Sequence, residues 1–383
     1  MERKSRVAGA LAILAAIADG IINLIERAIV LGVEALRRAW HRLNPYLYSE
    51  RLRIRCITEG LPPKGSDKVA VFVVYSRSGM PNFTMNFIAA LNRHSFNVII
   101  VSNDRLDTSV KTALLGNCCL LVERVNVGRD FGGYKDGIGI AVQRFPDIRR
   151  LIIGNDSLYY FNRGLDELIT ALDGPEDFIG VSEVYEHHYH VASFLLSFGP
   201  GVLDDPAFRR FWTGYLPIPT RMWAILEGEG ELTRVLVEAG HRPHVLFRAD
   251  ALLFKLQALS ATETADTLAL LPRSVRDALP PFAAPLRTNP APRNLAEAVY
   301  EEVMARNQMH AAGFAFMKYM GLPLLKRDIV FRELFSLREV KQIIAGFGEA
   351  EPMQAEIMDD LARRPPPSRF AVVHRLFYRH GHF

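Results

Sequence analysis

Cysteine is scarce in this chain. There are three in 383 residues, at Cys56, Cys118 and Cys119. No CxxC pair and no Cys/His cluster of zinc spacing occurs, which argues against a zinc module or a disulfide scaffold. So few thiols fit a reducing compartment. The adjacent Cys118 and Cys119 sit in the apolar run Cys-Cys-Leu-Leu-Val and read as buried strand residues. Charge of one sign is also lacking: the net charge is +4, which gives no case for nucleic acid as a partner. No uncharged apolar run reaches the roughly 20 residues that a bilayer span needs. The nearest candidate, Val7 to Ala18, stops at Asp19 and Gly20. A cytoplasmic protein without a transmembrane helix is therefore expected. The Gly-Lys-Ser/Thr ending of a Walker A loop is missing, and so is a Rossmann GxGxxG.

What is present is enough to fold. Hydrophobic residues make up 49% and charged residues 23% of the chain. The length suggests one large domain with accessory parts. Near the N-terminus, Ile13, Ile17, Ile21, Leu24, Ala28, Leu31 and Ala35 recur at helical spacing, with Asp19, Asn23, Glu26, Arg27, Glu34 and Arg37 on the other side. This predicts an amphipathic helix of about 30 residues. The basic start followed by an apolar run also fits a signal peptide ending near Ala16-Ile17-Ala18, but the helical pattern continues past it. The helix can lie on a membrane surface, or pack on a partner or on the domain itself. The arginines from Arg37 to Arg55 favour the membrane, at about 1 kcal/mol each beside anionic headgroups. Residues 1–42 are expected to bring the protein to the inner face of the cytoplasmic membrane as a peripheral protein. Residues 1–59 are read as a helical N-terminal segment.

After a breaker-rich linker at Gly60–Ser66, strands alternate with helices. Val69–Tyr75, Asn97–Val101, Cys119–Val125 and Arg150–Gly154 read as strands. Helices are expected from Asn82, over Leu106–Leu115 and over Phe131–Phe145. That rhythm predicts an α/β fold, a mostly parallel sheet flanked by helices. Residues 60–250 are read as the catalytic α/β domain and 251–383 as a mostly helical C-terminal region with a basic tail.

Ligands of such sheets bind beyond the carboxyl ends of the strands. Polar groups cluster at those ends: Ser76 after the first strand, Asp104 after the second, Asn126, Gly128, Arg129 and Asp130 after the third, and Asn155, Asp156 and Ser157 after the fourth. In Asn-Val-Gly-Arg-Asp-Phe-Gly-Gly-Tyr (126–134), glycines allow close backbone approach, Arg129 offers a fork of donors for a diphosphate, and a helix N-terminus follows. Asp156 could hold a divalent cation or cap a following helix.

The order strand, Asn-x-Gly-Arg-Asp-Phe-Gly-Gly-Tyr, helix, strand, Asn-Asp-Ser resembles the rhamnan synthesis protein F family, which is glycosyltransferase-like. Four further blocks resemble that family. They are His190–Leu195 with Ser193, Phe208–Trp212, Asn307 with His310, and Gly321–Arg327 with Lys326 and Arg327. The resemblance spans Lys68 to Arg332. It departs from the pattern at Ala192, where Gln is expected, and at Gln308, where Pro is expected.

The resemblance implies a GT-A-like fold and transfer of a sugar, rhamnose among the candidates, from a nucleotide-diphosphate donor to a saccharide or lipid-linked acceptor. The setting would be cell-surface polysaccharide synthesis, lipopolysaccharide included. It places Asn155-Asp156-Ser157 where such enzymes carry Asp-x-Asp, with Asp156 on Mg²⁺ or Mn²⁺, or else Arg129, Lys326 and Arg327 neutralise the leaving group. It places Asp104 by the nucleobase, His190 and Ser193 among substrate contacts, and Glu229, with Glu231 close behind, as the acceptor's general base. Read as residues alone, the acids at 227–231 equally fit a stabilised helix N-terminus. His187, His188 and His190 do not have zinc spacing. The single carboxylate of Asn-Asp-Ser keeps a second hypothesis open, a non-catalytic sugar-binding or assembly subunit on the same fold.

Overall fold

The computed structural model describes residues 2–75, 79–186, 188–279 and 293–364, with no side chains described for residues 2–20 and for a few positions inside later helices. Its centre is an eight-stranded sheet. The strands in chain order are β1 (Ile54–Glu59), β2 (Lys68–Val74), β3 (Asn97–Ser102), β4 (Leu120–Arg124), β5 (Arg150–Asn155), β6 (Leu158–Tyr160), β7 (Phe178–Gly180), β8 (Glu183–Val184), β9 (His190–Val191), β10 (Leu195–Phe198), β11 (His244–Val245) and β12 (Leu324–Lys326). The large sheet runs β1-β4-β3-β2-β5-β10-β7-β11, and β12-β6 and β8-β9 form two small pairs. The core strands β4, β3, β2 and β5 are parallel. β1 joins β4 antiparallel, and β10 lies antiparallel between β5 and β7.

The four parallel strands are the four apolar runs of the sequence. β2 reads Lys-Val-Ala-Val-Phe-Val-Val and is buried on both faces from Val69 onward. Ala70, Phe72 and Val74 enter one core, with Phe83, Phe87 and the C-terminal helices. Val69, Val71 and Val73 enter the other, with Phe131, Tyr134, Phe208, Phe211 and Trp212. A strand buried on both faces cannot alternate polar and apolar residues, which is why these runs are continuous. Each fully buried aromatic or branched side chain contributes about 1.5–3 kcal/mol.

The helix Arg129–Arg144 lies close on β2 because Gly133 and Gly137 face it: a Cβ on Gly137 would stand 2.3 Å from Val71 Cγ1. Glycines expected to make room for a phosphate thus include ones that make room for the sheet. Cys118 and Cys119 are buried, and burial pushes their thiols up to about 12 and about 11. They are packing residues.

Two expectations are corrected. The segment 1–59 is not helical throughout, because Ile54–Glu59 is the sheet's edge strand β1 and the boundary drawn at 59 falls inside the sheet. Asp156 caps no helix, since strand β6 follows it. The stretch 258–293 holds the helices Ala261–Ala269, closed by a Ser260–Glu263 capping box, and Arg273–Arg276; residues 280–292 lie outside those described.

The N-terminal helix runs Glu2–Leu43, longer than expected. Val30 and Glu34 on it are buried, so it docks on the domain. Among the described residues, no helix is long and apolar enough to cross a membrane.

Candidate functional site

The carboxyl ends of β4 and β5 open toward one cavity of about 1070 Å³. Chain segments far apart in sequence wall it: Arg129 and Asp130, Asn155 and Ser157, His188 to Phe194, Arg221 to Glu229, Asn307 and His310, and Lys326 to Arg332. The N-terminal helix adds Arg27 and Leu31.

The loop from β4 into the helix Arg129–Arg144 is built to aim Arg129. Gly128 has φ 78° and Arg129 has φ 54°, two left-handed residues in succession. A Cβ on Gly128 would stand 2.3 Å from the Pro217 Cβ. A non-glycine residue held there stores about 1–3 kcal/mol of strain. Asn103 at the end of β3 holds it in place, donating from Nδ2 to the Arg129 carbonyl at 3.2 Å and accepting at Oδ1 from buried Arg124.

Asn155 is the hub of the floor. Its Nδ2 donates to Asp130 Oδ2 and contacts Tyr134 Oη, both at 3.0 Å, and its Oδ1 accepts from the Ser157 amide at 3.0 Å and from Ser157 Oγ at 2.5 Å. Tyr134 Oη donates to the Ser193 carbonyl at 3.0 Å. Burial and the charge of Asp156 push Asp130 up to about 6, against the pull of Arg129 and Lys326.

On the far wall Ser193 Oγ donates to Glu229 Oε1 at 2.9 Å, and His190 Nε2 lies 3.2 Å from Glu229 Oε2. Burial raises the Glu229 pKa, but the hydrogen bond and charge of His190, then Lys326, outweigh it and hold Glu229 below its usual value. Glu229 sits in a π-helical turn, Ala224–Gly230. Such turns widen the helix by one residue and often mark functional sites.

Lys326 arrives through β12, which pairs antiparallel with β6 directly after Asn155-Asp156-Ser157, in register with Leu158. Its ammonium lies 4.4 Å from the centre of the Phe194 ring. Burial lowers its pKa, opposed by Asp328, Glu229 and Asp130. Neither Lys326 nor Arg129 forms an ion pair among the described residues, so both cations are uncommitted.

The cavity therefore gathers Arg129, Asp130, Asn155, Ser157, His190, Ser193, Glu229 and Lys326 of the expected residues. The others stand elsewhere. Asp104 ends β3 with Arg55 at 3.8 Å. Asn126 is exposed on the loop, and Gly128 is closed in by Pro217. Asp156 Oδ2 accepts the Tyr75 amide at 2.9 Å. Arg327 is committed to Asp360, at 3.1 and 2.6 Å, and to the Asp156 carbonyl at 2.8 Å, so it braces the sheet end and is not free to meet a leaving group. Glu231, two residues beyond Glu229, lines a separate groove and pairs with Arg234 at 2.5 Å, so it does not meet this cavity. Ser76 and His187 lie outside the described residues.

A divalent cation fits poorly here. Among the described residues, no three His, Cys, Asp or Glu side chains gather to hold one. The Asp156 carboxylate accepts a backbone amide and faces Arg327, 3.9 Å away.

Sequence reading missed Arg221, Asp328 and Arg332. Burial lowers Arg221 to about 10. Asp328 lies 2.8 Å from His310 Nε2 and is bonded to Arg332, one helical turn on. Only the i, i+4 spacing of Asp328 and Arg332 was readable. Arg221 carried no signal.

The model of the rhamnan synthesis protein F family matches residues 98–271, a span that holds β3 to β11 with Arg129, Asn155, His190 and Glu229. Among curated proteins, the uncharacterized protein y4gN of Sinorhizobium fredii is 29% identical over 161 residues, 41% of this chain and 42% of that protein. The match thus spans less than half of either chain. A solved glycosyltransferase involved in the glycosylation of the major capsid of PBCV-1 is 12% identical, covering 46% of this chain and 81% of that one at a TM-score of 0.29, too slight a likeness to build on.

Proposed function

We propose that the protein is a glycosyltransferase that moves a sugar from a nucleoside-diphosphate donor to an acceptor hydroxyl of a saccharide or lipid-linked saccharide, at the cytoplasmic face of a membrane. The match to the rhamnan synthesis protein F family supports this class, with rhamnose as one candidate sugar. The observation that carries the reading is the convergence in one cavity of Arg129 and Lys326, which form no ion pair among the described residues, with Glu229, whose pKa is held below its usual value.

That arrangement suits transfer of a glycosyl group. Arg129 and Lys326 would hold the donor diphosphate, Arg129 through its planar fork and Lys326 as a point charge. Glu229 would take the proton of the acceptor hydroxyl. The acceptor oxygen then bonds to the anomeric carbon while the bond from that carbon to the diphosphate breaks. The nucleoside diphosphate leaves with the electron pair, and its charge is met by cations already positioned in the cavity. Since the carboxylates fit a metal poorly, these side chains are assigned the neutralising role.

The test is turnover with a panel of nucleoside-diphosphate sugars, with and without a chelator. Release of nucleoside diphosphate that needs Glu229 and persists in chelator supports the reading. Donor binding without any turnover, with or without acceptor, would make the protein a sugar-binding subunit instead. Release of nucleoside monophosphate would point to phosphosugar transfer, and release of sugar phosphate to nucleotidyl transfer.

A further inference from the structure

The N-terminal helix has its polarity reversed. A helix lying on a water-exposed domain turns its apolar stripe inward and its charges outward. Here the inward side carries Arg27, Glu34, Arg38 and Arg42 together with Val30. Glu34 and Val30 are 1% and 0% exposed, Arg27 walls the cavity, and Arg42 lies 3.6 Å from Glu227 and stacks over Trp223 at 4.9 Å. The outward side carries Ile25, Ile29, Val33, Leu36, Trp40 and Leu43, which are 54, 53, 44, 74, 61 and 79% exposed. At 3.6 residues per turn these six fall within an arc of about 80°. Beside them stand Ala28, Gly32, Ala35 and Ala39, all exposed and all uncharged. Among the described side chains, from Ile21 to Leu43, about half the circumference thus presents no charge to solvent.

We infer that this face seats the protein on an anionic lipid bilayer, with the helix lying in the membrane plane and the cavity mouth held at headgroup level. Width decides between a bilayer and a second copy of the chain. A coiled-coil seam is a narrow stripe bordered by charge on both sides. Here charge borders the face at Glu26 and Arg37 on one side, and on the other the small residues carry it about half-way round the helix before Arg42 is reached, so it is wider than such a seam. The ends carry what an interface selects. Trp40 and the 65% exposed Tyr46 have amphipathic rings, and exposed Arg37 and Arg51 meet anionic headgroups. An in-plane helix of this kind sinks about 5–10 Å into the boundary of headgroups and acyl chains.

The consequence for the site follows from the two faces sharing one helix. Arg27 and Leu31, on the side of the helix that borders the cavity, would stand at the membrane surface. A hydroxyl carried on a lipid could then reach Glu229 by lateral diffusion, without leaving the bilayer. This last step rests on the transferase reading; the seating on lipid does not.

Co-sedimentation of the full chain with vesicles tests it. Vesicles of phosphatidylglycerol and phosphatidylcholine should bind the protein, and phosphatidylcholine alone should bind it about tenfold more weakly. Leu36→Glu with Trp40→Glu, on the outward face, should abolish binding while the melting temperature holds. A second readout covers misfolding of that variant: an environment-sensitive dye on Leu36→Cys, in a Cys56→Ser background, should be quenched by deep spin-labelled lipid, and a dye on Arg27→Cys only by shallow label. Vesicle binding unchanged by the double substitution, or no quenching at position 36, overturns the inference. So does a stable dimer in solution that binds no vesicles and is dissociated by the same substitutions. None of these readouts requires turnover, so failure of the transferase reading would be seen separately.

Discussion

His190 meets acceptors at both of its ring nitrogens: Glu229 Oε2 at 3.2 Å from Nε2 and the His188 carbonyl at 3.0 Å from Nδ1. A ring set between two acceptors favours the doubly protonated form. Burial opposes that charge, but the hydrogen bond and charge of Glu229 prevail and raise its pKa above 6.5. The pair keeps Glu229 ionised and pointed, with Ser193 on its other oxygen.

Replacing Glu229 by Gln should lower kcat by about a hundredfold or more, the usual contribution of a general base. His190→Gln should keep a measurable plateau rate but shift the acid limb of kcat/KM to higher pH, because the cation that holds Glu229 down is gone. The sign for stability is the reverse of a carboxylate's. With a raised folded pKa, the stability from His190 is full below about 6.5 and fades as pH rises through the folded value. Urea unfolding of wild type and His190→Gln should therefore differ most at low pH and converge at high pH. An unmoved acid limb would reduce His190 to a packing residue.

Asp130 gives a second pH signature. Its pKa is pushed up to about 6 by burial and by Asp156. The folded state thus binds a proton that the unfolded chain has lost, and the associated stability is full below about 3.9 and is lost as pH rises through about 6. Asp130→Asn should raise the melting temperature at pH 8, and the gain should shrink as pH falls below 6. A pH-independent difference would contradict this assignment. The Asn side chain can still accept the hydrogen bond from Asn155.

Arg129 separates strain from function. Glycine at a φ of 54° costs nothing sterically. Arg129→Gly should leave stability unchanged or raise it by about 1 kcal/mol, and weaken donor binding by about tenfold or more. Arg129→Lys keeps the charge but loses the fork, so it should bind donor between wild type and the glycine variant. Thermal melts and donor titrations read both. Donor affinity that survives Arg129→Gly would release Arg129 from the site.

Glu231 supplies the control. Glu231→Gln should leave kcat within about twofold of wild type, while Glu229→Gln does not. Loss of its exposed pair with Arg234 should change stability by less than about 1 kcal/mol. Equal loss of turnover in both variants would mean that the two acids act from one side of the turn.

The parallel strands were legible because each is an apolar run between breakers, and the site edge followed from where those runs end. The edge strand β1 was not legible. Its residues Ile54–Glu59 alternate weakly and are mostly exposed, and its partner β4 is 60 residues or more away in sequence. Lys326 was reachable only through a family resemblance, since nothing local says that β12 pairs with β6. The division between Glu229 and Glu231 was hidden as well. Two acids two residues apart point in different directions on a helical turn, and only the docking of that turn decides which one meets the cavity. Likewise the N-terminal helix was readable as amphipathic, but not which face the domain would take.

The most direct test is a calorimetric titration of nucleoside diphosphate, in chelator, into wild type and Lys326→Met, with Glu231→Gln as the control. Lys326 is a half-buried cation with no ion pair among the described residues, so methionine keeps its bulk and removes only the charge. The account predicts binding by wild type and Glu231→Gln without metal, and at least about tenfold weaker binding by Lys326→Met. Binding that vanishes in chelator, or is equally tight in Lys326→Met, would contradict it.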